Sequence, residues 1–163
     1  METFTYKEIL QQPSCWVKEY EVLLEEKARI QAFLEKYLTN ETDIVLTGAG
    51  TSAFIGDAIA PLLRGVWKNV RAVATTDIVT NAADYLAADK PLLLISFARS
   101  GNSPESVAAV NLANAICKNV AHIYITCNKN GHLAKSANAE NILSLLLPEE
   151  TDDKSLAMTS SFS

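Results

Sequence analysis

Ile44-Val45-Leu46-Thr47-Gly48-Ala49-Gly50-Thr51-Ser52-Ala53-Phe54-Ile55-Gly56-Asp57 is answered farther along by Ile95-Ser96-Phe97-Ala98-Arg99-Ser100-Gly101-Asn102-Ser103-Pro104-Glu105. Each stretch reads as a buried strand, a turn of small and hydroxyl-bearing residues, and the first turn of a helix. Two such turns on one sheet edge aim backbone N–H groups and hydroxyls at a common anion, so the pair points to a bound phosphate.

Outward from these turns the chain alternates strands with helices. Strands are expected at 43–47, 70–74, 92–97, 121–126 and 142–147, and helical segments near 53–65, 104–117 and 131–138. The strands are short, apolar and partly β-branched, as in a parallel sheet covered on both faces, which makes the class α/β. Right-handed crossovers put the strand-to-helix turns on one edge, where doubly wound folds hold their ligands. Upstream, Trp16, Tyr20, Leu23, Lys27, Ile30, Leu34 and Tyr37 form the stripe of a long amphipathic helix, with Pro13 and Ser14 as its expected start and 39–42 as its exit. That stripe serves either as cover for the sheet or as an assembly surface. The polar end of the chain, 148–163, reads as the approach to a capped helix or as an unstructured tail.

In the second turn Gly101 allows a tight reversal, Ser103 suits a helix N-cap and Pro104 the first helical position. Ser103 has capping as an alternative duty, whereas Ser100 and Asn102 have none, which makes Ser100 the better ligand candidate. Arg99 reads either as a charge partner for the anion or as a snorkelling surface group. In the first turn Gly50 permits close backbone approach, and Thr51 and Ser52 offer hydroxyls to a sugar or phosphate. The third glycine, Gly56, comes too late for a dinucleotide fingerprint, and no Gly-Lys-Ser/Thr supplies a nucleoside-triphosphate loop.

With 163 residues one domain is expected. The 14 basic and 19 acidic residues, a net charge of −5, argue against a broad nucleic-acid surface. No apolar run approaches the ~20 residues a bilayer needs, and the first residues lack a leader pattern, so a cytoplasmic, membrane-free protein is expected. Cys15, Cys117 and Cys127, with His122 and His132, show no metal-ligand spacing, so no metal is assigned, and Cys117 and Cys127 read as packed, reduced residues.

Taken together, the two turns, Thr75-Thr76-Asp77, Ile125-Thr126-Cys127-Asn128 and Leu156-Ala157-Met158-Thr159-Ser160-Ser161 make the chain resemble the sugar isomerase (SIS) family, and within it the AgaS-like branch of tagatose-6-phosphate ketose/aldose isomerases and amino-sugar-6-phosphate deaminases. The resemblance covers almost the whole chain. It implies a flavodoxin-like, three-layer α/β/α SIS domain over 43–163 with a five-stranded parallel sheet, preceded by a helical segment over 1–42 that packs on it. It further implies that Ser52, Arg99, Ser100 and Ser103 surround a phosphate, and that Thr159, Ser160 and Ser161 touch sugar or phosphate at the outer wall. Ala98 stands where relatives often carry serine, which removes one hydroxyl contact.

Relatives in this family usually carry two SIS domains, and the acid/base glutamate lies beyond the first, so the sequence reads as a first half ending before a second SIS domain. Glu105 and Asp57 flank the turns, but Glu105 serves equally as a helix-dipole partner and Asp57 as turn support, which leaves the catalytic base unassigned. The implied ligand is a phosphorylated hexose or amino sugar, the implied reaction moves a proton between C1 and C2 without cofactor, and the implied state is a homo-oligomer. A phosphosugar-binding or regulatory module acting alone, and a nucleotide-binding module, are the competing readings.

Overall fold

Successive apolar residues of β1 (Asp43–Gly48) and β3 (Leu92–Phe97) point to opposite sides of the sheet, and both sides are covered by helices. The computed structural model describes residues 3–156 and 158–163. With β2 (Val70–Ala72), β4 (Val120–Thr126) and β5 (Ile142–Leu146) these strands form a five-stranded sheet in the order β2-β1-β3-β4-β5, parallel throughout.

Val45, Leu92, Leu94 and Tyr124 face one core with α3 (Thr75–Thr80) and α5 (Pro104–Ile116), where Ile78, Ala109, Val110 and Ala113 pack. Ile44, Leu46, Leu93, Ile95 and Phe97 face the other, closed by Ala60 of α2 (Thr51–Leu63) and Phe33 of α1 (Phe4–Tyr37). Period-two side-chain alternation in strands buried on both faces therefore produces the three-layer α/β/α arrangement expected from the sequence. The chain runs from β1 to β2 in one direction and from β3 onward in the other. The crevice of such a sheet lies outside the carboxyl ends of the strands where the order reverses, here β1 and β3.

Three local expectations change. The long helix begins at Phe4, with the Thr3 hydroxyl accepting from the Tyr6 N–H at 3.3 Å, so Pro13 and Ser14 lie inside it. Ser14 donates its hydroxyl to the Gln11 carbonyl at 2.7 Å, a back-bond of the kind hydroxyls make within helices, instead of capping. β2 stops at Ala72, and α3 and the short α4 (Ala82–Tyr85) follow, neither of them expected.

The stripe on α1 covers the sheet over only part of its length. Ile30, Leu34 and Tyr37 pack with buried Phe33 against the sheet, whereas Trp16, Tyr20 and Leu23 are exposed, together with Tyr6, Leu10, Val17 and Leu24. Arg29 reaches across to the Ser144 carbonyl of the edge strand β5 at 2.8 Å. The end of the chain packs on the first turns of α1 without a capped helix: the Ser160 hydroxyl donates to the Glu8 carbonyl at 3.0 Å and accepts from Gln11 Nε2 at 2.9 Å. Ala157 lies outside the described residues. No helix among the described residues is long and apolar enough to cross a membrane.

Candidate functional site

Both quoted turns leave the sheet at its switch point and open onto one cleft of about 360 Å³. Its lining contains Gly50, Thr51 and Ser52 from the first turn, and Ala98, Arg99, Ser100 and Ser103 from the second. The amino termini of α2 and α5 thus meet at one place, and each presents amide donors that its own helix does not use and a partial positive charge of roughly half a unit. Among the described residues no carboxylate or imidazole belongs to the lining, and the cleft suits an anion.

The first turn depends on Gly50, whose φ of 58° and ψ of −126° suit a residue without Cβ, and which stands at the N-cap of α2 with no side chain to offer. The first amides of α2 therefore find no capping side chain. Thr75 steadies this turn by donating its hydroxyl to the Gly48 carbonyl at 3.1 Å.

The second turn is held from β4 and from the loop into α6 (His132–Ser136). The Thr126 hydroxyl donates to the Arg99 carbonyl at 3.1 Å, Asn128 Nδ2 to the Ser100 carbonyl at 3.1 Å, and the Leu133 amide to the Gly101 carbonyl at 3.1 Å. Ser103 occupies the N-cap position expected of it and Pro104 the first helical position, but the Ser103 hydroxyl donates to Ser106 Oγ at 2.6 Å instead of capping α5. The Ser100 hydroxyl accepts from the Asn102 N–H at 3.3 Å, a long and weak contact.

Not every residue singled out from the sequence reaches the cleft. Asn102 is outside the lining, its Oδ1 accepting from the His132 N–H at 2.8 Å. Thr159, Ser160 and Ser161 also lie outside it: the Thr159 and Ser161 amides donate to Asp153 Oδ2 at 2.9 and 3.0 Å, and Ser160 bonds to α1. The same segment instead contributes Leu156 and Met158 to the lining, and α5 contributes Ser106. Ser106 sits three residues after Ser103, a spacing that puts both hydroxyls on one helix face and was available in the sequence. Nothing local distinguishes Leu156 and Met158.

Arg99 joins the two halves of the wall. One guanidinium nitrogen, Nη1, donates to the Asp153 carbonyl, and Nε lies 4.0 Å from an Asp152 carboxylate oxygen. Asp57 and Glu105 do not line the cleft. Burial pushes the Cys127 thiol up to about 11 and also raises Cys15 and Cys117, which disfavours the thiolate form at neutral pH. A larger cavity of about 490 Å³ opens where Asp43 and Arg71 lie, but those two charges already pair at 2.6 Å, and it is remote from both turns.

The profile of the SIS domain matches residues 37–163. The chain is 52% identical over 162 residues to the D-galactosamine-6-phosphate deaminase AgaS of Escherichia coli, covering 98% of this chain and 42% of that protein. The crystal structure of a tagatose-6-phosphate ketose/aldose isomerase from Escherichia coli superposes with a TM-score of 0.96 at 52% identity, covering 98% of this chain and 44% of that one. A putative tagatose-6-phosphate ketose/aldose isomerase from Clostridium novyi gives 0.93 at 46% identity, covering 98% and 41%. The chain thus spans less than half the length of these relatives.

Proposed function

The chain belongs to the SIS domain family, and from that premise we propose that it is the phosphosugar-binding half of a hexose 6-phosphate ketose/aldose isomerase or amino-sugar-6-phosphate deaminase. The observation that carries this reading is the meeting of two helix amino termini and the hydroxyl-bearing turns 50–52 and 100–103 in one cleft at the sheet's switch point. In this reading Gly50, Thr51, Ser52, Ser100 and Ser103 hold the phosphate through amides and hydroxyls, and Arg99 complements its charge. Asn102 supports the second turn through His132, and Thr159, Ser160 and Ser161 shape the outer wall through Asp153 and α1.

The reaction of the whole protein moves a proton between C1 and C2 of the opened sugar, and with an amino sugar this gives a C2 imine that water hydrolyses to the ketone, releasing ammonia. The phosphate fixes the sugar so that a base elsewhere meets the right carbon. Among the described residues the cleft lining carries no such base, which favours one alternative as well: a module that binds phosphosugar without turnover. The two separate in one experiment. This chain is titrated with galactosamine 6-phosphate and assayed for ammonia release, alone and joined to the remaining length that its relatives possess. Binding alone, with turnover on joining, supports the enzyme half, whereas binding without turnover in both supports the module. Absence of phosphosugar binding refutes both.

The apolar residues exposed on the first two-thirds of α1 support a homo-oligomer as its state. The three free cysteines suit a reducing compartment, and we assign the cytoplasm.

A further inference from the structure

Glu8, on the second turn of α1, is a buried carboxylate at 6% exposure, far in sequence from either turn of the cleft. Its Oε1 accepts from the Lys154 amide at 2.7 Å and the Ser155 amide at 3.2 Å, and its Oε2 accepts from the Ser155 hydroxyl. Immediately beyond these donors stand Leu156 and Met158, which belong to the cleft lining, Leu156 with its side chain exposed to solvent. Asp153 folds this strap on itself through the Thr159 and Ser161 amides, and Arg99 of the second turn donates to the Asp153 carbonyl.

From this we infer that Glu8 is a positioning residue for the sugar-binding wall: it fixes the strap that brings Met158 to a cleft whose phosphate end is built by the amides and hydroxyls of the two turns. The inference rests on the phosphosugar reading above and adds to it a residue remote from the cleft. Burial by itself raises the Glu8 pKa, but the Ser155 hydroxyl, the Lys154 and Ser155 amides and the Arg99 charge together hold it below the usual carboxylate value, so it is ionised at neutral pH and accepts all three bonds. A carboxylate fits this duty because it accepts without having to donate, and three donors converge on it.

The test compares two ligands. Inorganic phosphate meets the two turns and Arg99, whose strap partners Asp152 and Asp153 the variants below leave in place, whereas galactosamine 6-phosphate also meets the wall. Glu8→Ala is expected to weaken galactosamine 6-phosphate by about tenfold or more, the equivalent of losing hydrogen bonds to a charged acceptor, and to leave inorganic phosphate within about twofold. Glu8→Gln keeps an oxygen for the two amides and is expected to recover most of the loss. Equal weakening of both ligands, or no weakening of either, overturns the assignment of Glu8 while leaving the phosphosugar reading intact. Failure of the parent chain to bind galactosamine 6-phosphate overturns that reading, and the inference with it. If Glu8→Ala does not fold, Ser155→Ala removes one donor from the same clamp and is held to the same selective loss, expected at about threefold.

Discussion

The two turns that face each other across the cleft are made of similar residues and are held in different ways. The first, 48–52, relies on the conformation of Gly50 and one hydroxyl bond from Thr75. The second, 99–103, is braced by Thr126, Asn128 and Leu133, and its outer neighbour is the strap tied to α1. A turn held by its own backbone can be altered with local consequences, whereas a turn held by three neighbouring elements transmits any change to them. The first turn is therefore expected to report on ligand binding and the second on binding and stability together.

The strongest challenge to that contrast is Gly131→Ala. A Cβ at Gly131 would lie 2.3 Å from the Ser100 carbonyl oxygen, so the brace and the second turn must separate. A loss of about 3 kcal/mol in unfolding free energy, the upper end for overpacking, is expected together with loss of phosphosugar binding. The matched change in the first turn, Gly50→Ala, meets open space and costs only its backbone strain at φ 58° and ψ −126°, about 1–3 kcal/mol. Equal losses in chemical denaturation would remove the distinction.

The support beneath the second turn also predicts a pH dependence. His122 on β4 is fully buried, with Nε2 3.0 Å from Asn114 Oδ1 on α5, and burial lowers its pKa to about 4. The unfolded chain binds this proton below pH ~6.5 and the folded chain does not until about pH 4, so stability falls as pH drops through that window, by on the order of 2–3 kcal/mol. His122→Gln should flatten that part of the denaturation profile; an unchanged slope would show that other groups set it.

Ser100→Ala and Ser52→Ala sharpen the comparison at the ligand. Each removes a hydroxyl from the cleft, and because the brace on the second turn holds backbone carbonyls and not the Ser100 hydroxyl, each is expected to weaken galactosamine 6-phosphate by roughly tenfold with little change in melting temperature. Unaltered affinity in either variant would withdraw that residue from the cradle. The smallest effect belongs to Asn102→Ala, which removes the acceptor for the His132 amide: about 1 kcal/mol of stability and less than threefold in affinity. A larger loss of affinity than for Ser100→Ala would return Asn102 to the phosphate.

The central strands and both turns were legible because buried parallel strands are continuous apolar runs and because Gly, Ser and Pro mark helix starts locally. Ser103 and Pro104 fell at the expected positions for that reason, although the rotamer that turns the Ser103 hydroxyl to Ser106 is set by packing and leaves no sequence trace. Pro13 misled, since a proline in a sequence argues for a helix boundary, yet the turns before it gain tertiary bonds from Glu8 and Gln11. The α3 helix was missed because six residues capped by Ala74 offer neither periodicity nor a capping side chain. The Glu8 clamp joins residues 146 positions apart, and no local pattern encodes it.

The most direct measurement is an isothermal titration of this chain with galactosamine 6-phosphate, with galactosamine as the matched control. Saturable heat with the phosphorylated sugar alone is the predicted result, and it would establish the cleft between the two turns as a working phosphosugar site. A folded chain that gives no saturable heat, or binds both sugars equally, would contradict it.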